Sequence, residues 1–172
     1  MANTFTLIQV QTLSSNQTTV TFTSIPQTYT DLQLVYSVRN TTGANYAGNA
    51  YLTFNGATSR YYEMLFYNAS GEIGAVGKAN VDPYLQWPVL SQGAGTSIFS
   101  SGQFYIANYT STNPKSGLSD WVSEDTVTPW MTFNASYWDP TSNVAITSMS
   151  FTSHLNQFAQ YSSFYLYGIK NS

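Results

Sequence analysis

Alternation of apolar and polar residues constrains this chain more than any other feature of its sequence. In the segment DLQLVYSVR (31–39), apolar residues occupy every second position. The same period recurs in TTVTFTSI (18–25), AYLTFNG (50–56) and WMTFNASYW (130–138). A period of two is typical of antiparallel strands with one face buried and one face in water. The sequence therefore predicts an all-β protein.

Clusters of Gly, Asn, Ser and Pro separate about nine or ten such segments, a spacing typical of sandwiches and barrels. Asn55-Gly56 is a strong turn signal. The pattern slips within NVAITSMSF (143–151), where a β-bulge would account for the change of phase. The short segment LNQFAQY (155–161) is the one candidate for a helix. We predict a single domain over residues 1–172, an antiparallel two-sheet sandwich of the jelly-roll type, since an immunoglobulin-like sandwich is shorter.

Composition excludes several classes of function. Charged residues make up 8% of the chain and its net charge is −3, which argues against a nucleic-acid-binding protein, because such proteins carry a basic stripe. No apolar run approaches the length of a membrane span. The chain has no cysteine, so it has no disulfide framework. The first residues resemble no signal peptide, and we expect synthesis in the cytoplasm of a host cell.

Three segments carry large apolar groups on both faces: RYYEMLFY (60–67), QFYIANY (103–109) and SSFYLYGI (162–169). A second apolar face is unlikely to be left bare in water. A loop, another subunit or a ligand would cover it, and the sequence leaves these three alternatives open. With two loop-like tryptophans added, the candidate interface or ligand residues are Tyr61, Leu65, Tyr67, Tyr105, Tyr109, Tyr165, Tyr167, Trp87 and Trp121.

No residue pattern indicates catalysis. His154 is the only histidine, and no G-x-S-x-G motif accompanies it. Asp120, Glu124 and Asp125 are close in sequence, but their spacing matches no calcium-loop motif, and a solvated acidic loop is the simpler interpretation. We expect no catalytic residue, no metal and no cofactor.

Three segments also carry a resemblance: NTFTLIQVQTL at the start, SIPQTYTDLQLVYSVR (24–39) and SSFYLYGI near the end. They resemble small virion proteins of tailed bacteriophages, including environmental and cyanobacterial ones. The match covers both ends and the first third of the chain, whereas residues 68–136 match nothing. The resemblance implies a part of the virion, either a capsid decoration (cement) protein or a domain of a head or tail fibre, and it implies no catalytic residues.

From these observations we expect a non-enzymatic structural protein located in the virion. The first hypothesis is a capsid decoration protein, a homotrimer that binds the major capsid protein or another virion protein at subunit junctions. The alternative is a fibre domain that recognises glycan on the host surface.

Overall fold

The computed structural model describes residues 4–41, 47–69, 71–82, 85–90, 98–123, 130–142, 144–154 and 156–170, with the backbone alone for 47–49, 69, 78–82 and 86–90. All twelve regular elements in these residues are strands, and no described residue is helical. In chain order they are β1 (Phe5–Thr12), β2 (Thr19–Phe22), β3 (Asp31–Val38), β4 (Ala47–Phe54), β5 (Tyr61–Ala69), β6 (Glu72–Asp82), β7 (Leu85–Leu90), β8 (Ser100–Ile106), β9 (Lys115–Val122), β10 (Trp130–Trp138), β11 (Met149–Ser153) and β12 (Ser163–Ile169).

The strands form two antiparallel sheets, as the alternating pattern predicts. The large sheet has the order β1-β12-β3-β8-β9-β10-β5-β6, and the small sheet has the order β2-β11-β4-β7. Eight strands, β1-β12-β3-β8 in one sheet and β2-β11-β4-β7 in the other, follow the order of a jelly roll. The predicted two-sheet sandwich is therefore confirmed, and its topology is that of a jelly roll.

Two hairpins are inserted into this jelly roll. β5 and β6 lie in sequence between β4 and β7, and β9 and β10 lie between β8 and β11. In space the four strands add side by side to the edge of the large sheet next to β8. We call these four strands the extension. They explain why the large sheet has twice as many strands as the small one.

The core lies between the sheets and is rich in aromatic rings. Phe54 of β4 packs against Trp138 of β10 with ring centroids 5.3 Å apart, and Trp138 stacks on Tyr61 at 6.0 Å. Phe151 and Phe164 meet edge to face on the other side of the core at 5.4 Å. All of these side chains are almost fully buried. One cluster of buried side chains therefore joins the small sheet to the jelly-roll strands and to the start of the extension.

The strand predicted from the start of NVAITSMSF is wrong for its described residues. Residues 144–148 are not in a strand, and β11 begins at Met149. The predicted turn at Asn55-Gly56 explains this difference. Both residues have positive φ, and the Asn55 amide accepts the backbone N–H groups of Thr147 and Ser148 and donates to the Ala145 carbonyl at 2.7–3.1 Å. A side chain thus replaces the neighbouring strand as hydrogen-bond partner.

The candidate helix at 155–161 does not form in the residues described there. Phe158 exchanges two backbone hydrogen bonds with Gln17 and forms a second bridge with Asn40. The bulge that we expected within 143–151 is absent from its described residues. Register irregularities occur instead in β1, between Leu7 and Gln9, and in β5, between Tyr61 and Tyr62.

Candidate binding surface

The outer face of the large sheet carries apolar side chains over most of its width. Strand pairing places them in rows that cross all eight strands. One row contains, from β6 to β1, Gly77, Met64, Ala135, Leu118, Tyr105, Gln33, Tyr167 and Leu7. The next row contains Ala75, Phe66, Phe133, Asp120, Gln103, Val35, Tyr165 and Val10. Directly paired residues share a face, so each row is a continuous stripe of neighbouring side chains.

The extension holds the larger of two apolar areas on this face. Seven large side chains project from β5, β9 and β10, and each is between 43% and 63% exposed. We call them the extension patch: Met64, Phe66, Leu118, Val122, Met131, Phe133 and Tyr137. A monomeric protein rarely exposes so many neighbouring apolar groups, and a patch of this kind marks a contact surface.

The second apolar area lies at the opposite edge of the same face. Phe5, Leu7 and Val10 of β1 are each about half-exposed. They pair with β12, whose outward side chains Tyr165 and Tyr167 are half-buried. We call these five residues the amino-terminal patch. It is the part of the surface for which the sequence named the correct tyrosines.

A groove of about 490 Å³ opens along the side of the extension patch that is nearer to β8. Its described lining includes Phe66, Leu118 and Phe133 on one side and Gln33 and Gln103 on the other. We call it the central groove. An apolar concave surface with a few fixed polar groups is typical of ligand-binding sites.

A chain of hydrogen bonds fixes the polar side of the groove. The Gln33 amide donates to the Gln103 side-chain carbonyl, and the Gln103 amide donates to the Asp120 carboxylate at 2.8 Å. Because each amide is held by the next group, the side chains are pre-oriented towards the groove. Asp120 is the only charged residue at an outward position of β5, β9 or β10 among the residues described there.

Asp31 anchors Tyr105 beside this chain. Its carboxylate accepts the Tyr105 hydroxyl at 2.6 Å and the backbone N–H of Asn108 at 2.8 Å. Burial, together with the hydrogen bond to Asp31, raises the pKa of Tyr105 to about 12. Tyr105 therefore stays protonated near neutral pH, and its ring forms a fixed part of the groove wall.

In the small sheet, the outward side chains of β2 and β11 have the opposite chemistry. Thr19 and Thr152 lie 3.1 Å apart through their hydroxyl oxygens, and Thr21 and Ser150 make the same contact at the same distance. We call these four residues the hydroxyl face. Hydroxyl groups are readily hydrated, so this face needs no partner.

Eight of the nine candidate residues have described side chains, and these lie in three environments. Tyr61, Tyr109 and Trp121 are almost fully buried in the core. The interpretation of Trp121 as an exposed loop residue is wrong, because it lies in β9 and points inward. No outside partner can reach these three side chains in the folded chain.

Two more candidates point away from the outer face. Leu65 and Tyr67 are half-buried and lie on the side of β5 opposite Met64 and Phe66. Tyr67 stacks on Trp130, with ring centroids 5.9 Å apart. Tyr105, Tyr165 and Tyr167 lie on the outer face, and the side chain of Trp87 lies outside the described residues.

Sequence reasoning missed the most exposed residues of the surface. Leu118 of β9 and Phe133 of β10 are each 63% exposed. By contrast, Thr132 and Asn134, the polar residues on either side of Phe133, are buried. The sequence predicts the period of two in β10, but in this strand the apolar residues at 131 and 133 face outward and the polar residues at 132 and 134 face inward. The signal available in the sequence was the two-sided apolar pattern of β5, which pairs with β10 along its whole length.

Among the acidic and histidine candidates, the structure describes His154 and Asp120. His154 packs against the Tyr51 ring, with centroids 4.5 Å apart. Glu124 and Asp125 lie outside the described residues. The described residues contain no group of three His, Cys, Asp or Glu side chains that would hold a metal ion. In that part of the chain we also find no helix with the length and apolar character for crossing a membrane.

Comparison with known proteins leaves the family of the chain open. No family model matches it, and no curated protein matches it. Among solved structures, it is similar to the CBM2 module of the evolved Dit of Lactobacillus casei BL23 phage J-1. The two are 11% identical, the alignment covers 90% of this chain and 69% of that chain, and the TM-score is 0.28.

Proposed function

We propose that this chain is a non-enzymatic structural protein of a bacteriophage virion, and specifically a capsid decoration protein. The observation that carries the proposal is the apolar outer face of the large sheet, which exposes both the extension patch and the amino-terminal patch. The resemblance of the chain ends to small virion proteins of tailed phages supports the proposed location in a virion.

The proposed mechanism is binding alone. A protein that binds only the assembled capsid shifts the equilibrium towards that state by mass action. Apolar area removed from water at a subunit junction supplies the driving force. The low content of charged residues favours this role, because few charges have to lose their hydration when the protein docks. In this proposal the major capsid protein is the partner.

The absence of enzymatic activity belongs to the same proposal. The two carboxylates near the central groove have structural partners, since Asp31 binds Tyr105 and Asn108 and Asp120 binds Gln103. These contacts support a positioning role for both acids.

Particles of the phage that encodes this chain provide the test. Particles assembled without the chain should rupture at a lower temperature, and adding the purified chain back should restore their heat resistance. A chain with Leu7→Ser and Val10→Ser should restore less, because the amino-terminal patch is weakened. Thr152→Ala, on the hydroxyl face, is the matched control and should restore heat resistance fully. Unchanged heat resistance without the chain contradicts the proposal.

The central groove favours a second candidate function, recognition of host glycan by a fibre domain. Its aromatic rings, Tyr105 and Phe133, offer faces on which sugars stack, and Gln33 and Gln103 offer amides for sugar hydroxyls. No described residue lining the groove is basic, so the chemistry fits a neutral saccharide better than an anionic one.

A glycan array probed with the purified chain tests this candidate. Binding of a neutral glycan that is lost in Gln103→Ala and retained in Thr152→Ala would support it. Failure to bind any glycan, together with binding to capsids, would leave the decoration function in place and remove the fibre function.

A further inference from the structure

We infer that the extension patch is a contact between copies of this chain, in which the same patch of each copy meets around a symmetry axis. The inference rests on the proposed assembly function and deepens it, because it names one of the partners. The amino-terminal patch, at the other edge of the sheet, then remains for contact with a different virion protein.

The exposed area is the first argument. An aromatic side chain offers roughly 150–250 Å² of surface, and Leu, Met and Val offer less. Three aromatic and four smaller apolar side chains, each about half-exposed, present on the order of 500–800 Å². The largest apolar patch on a typical monomer is roughly 300–600 Å², and a stable interface buries about 800 Å² per partner. The extension patch therefore lies at or above the upper end of the monomer range and approaches the area that one partner buries in a stable interface.

The distribution of charge is the second argument. In a symmetric contact, residues near the axis meet their own copies, so any charge there meets a like charge. None of the seven residues is charged. Asp120 lies between Leu118 and Val122 on β9, and its carboxylate is hydrogen-bonded to Gln103 of the neighbouring strand β8. A contact centred on β5 and β10 therefore brings no charged side chain of these strands to the axis, although the whole chain has a net charge of −3.

Side-chain chemistry is the third argument, and it separates a protein partner from a saccharide. The patch combines two methionines, Met64 and Met131, with the rings of Phe66 and Phe133. The methionine side chain is flexible and makes favourable contacts with aromatic rings. Methionines of one copy can therefore pack on phenylalanine rings of the other copy. Tyr137 supplies its only hydroxyl group, so the patch offers little to bind sugar hydroxyls.

The shape of the surface is compatible with such a contact. β5, β9 and β10 pair in continuous register over their common length. Their outward side chains form one sheet face, with the central groove along its β9 side, and two sheet faces pack about 10 Å apart in β-sandwiches. Ala135 lies at an exposed position between Leu118 and Met64, near the middle of the patch.

Mass measurement by light scattering after size-exclusion chromatography is the first test. The wild-type chain should have a mass two or three times the 19.0 kDa of one chain. The double variant Leu118→Ser and Phe133→Ser should have the mass of one chain. The matched control is Leu7→Ser with Val10→Ser, which removes two apolar groups from the amino-terminal patch and should keep the wild-type mass. A monomeric wild type, or an oligomer that survives the first double variant, overturns the inference.

Cysteine cross-linking is the second test, and it does not depend on a destabilising change. The chain has no cysteine, so a single introduced thiol reports on one position. Two sheet faces about 10 Å apart hold such thiols beyond the reach of a direct disulfide, so a short bifunctional thiol reagent is used. This reagent should link Ala135→Cys rapidly into a dimer at low protein concentration. Thr21→Cys, on the hydroxyl face, should remain largely unlinked. Equal rates of cross-linking at the two positions would overturn the inference.

The two proposals fail separately. A monomeric chain that still binds capsids refutes the contact between copies and leaves the decoration function standing. An oligomer that dissociates in the Leu118→Ser and Phe133→Ser variant, but binds no particle, supports the contact between copies and refutes the decoration function.

Discussion

The two outer faces of this sandwich are made from strands of the same kind and have opposite chemistry. On the small sheet, Thr19, Thr21, Ser150 and Thr152 form two hydroxyl pairs at 3.1 Å. On the large sheet, seven apolar side chains of the extension and three of β1 are exposed. One face is suited to water, and the other is suited to contact with a partner.

The alternation of apolar and polar residues along a strand does not determine which face of that strand is buried. In β2, Val20 and Phe22 point into the core, as the usual rule predicts. In β10, Met131 and Phe133 point outward, and the polar residues Thr132 and Asn134 are buried. The buried polar groups are partly satisfied within the sheet, since Asn134 donates to Glu63 at 3.3 Å.

The largest effect that we predict separates the two faces of β10 itself. Trp138 is almost fully buried against Phe54 and Tyr61, so Trp138→Ala should lower the free energy of unfolding by about 3–5 kcal/mol. Its neighbour Tyr137 is on the outer face, and Tyr137→Ala should cost less than about 1 kcal/mol. Urea unfolding at low protein concentration measures both. Equal losses would show that the outer side chains are needed for folding, which contradicts their assignment to a contact surface.

Making the two faces alike should have a smaller effect on folding and a clear effect on surface chemistry. Leu118→Thr with Phe133→Thr should reduce the binding of a fluorescent dye that reports exposed apolar surface. Thr19→Val with Thr152→Val should increase dye binding and change the free energy of unfolding by no more than about 1 kcal/mol, because both hydrogen-bond partners are replaced together. If the threonine variants of the large sheet bind as much dye as wild type, the extension patch is not exposed in solution.

Alkaline pH should destabilise the protein through tyrosines, including one on the outer face. The pKa of Tyr105 is raised from its usual 10.0 to about 12, and burial raises the pKa of Tyr36 and of Tyr61 as well. The folded state therefore disfavours the tyrosinate form. Its stability should be complete below about pH 10 and should decline as the pH rises through about 12.

Tyr105→Phe isolates the contribution of the outer face. The free energy of unfolding of this variant should fall less steeply between about pH 10 and pH 12 than that of wild type. Unfolding curves at several pH values measure the difference. An identical slope in both proteins would mean that Tyr105 is not held by Asp31 in solution.

The smallest effect that we predict concerns the ion pair at one end of the extension. Arg60, just before β5, binds the carboxylate of Asp139, just after β10. The two side chains are 37% and 25% exposed, so Arg60→Gln should cost no more than about 1 kcal/mol, and added salt should reduce the difference from wild type. Thermal unfolding at low and high salt measures it. A larger loss would indicate that this end of the extension depends on the pair.

The jelly-roll strands were the part of the fold that the sequence predicted well. β3, β4 and β12 follow the alternating segments closely, and the Asn55-Gly56 turn occurs where it was expected. The extension was predicted less well. β6 contains glycines and lacks a clear alternation, and SDWV at the end of β9 was interpreted as part of a loop. These strands obtain their regularity from pairing with β5, β8 and β10.

The candidate site was predicted in kind but only partly in its residues. The idea of a second apolar face was right for Tyr105, Tyr165 and Tyr167, which lie on the outer face. The prediction was wrong for Tyr61 and Tyr109, which are buried, because a sequence with apolar residues on both faces does not show which face is buried.

By itself, the sequence determined that this chain folds into antiparallel strands, since a period of two fixes the alternation of side chains between the two faces of each strand. It also determined that the chain has few charges with which to keep its surface in water. Only the tertiary structure decided which face of each strand is buried. That choice depends on register with neighbouring strands and on which sheet lies opposite, and both are set by residues distant in sequence.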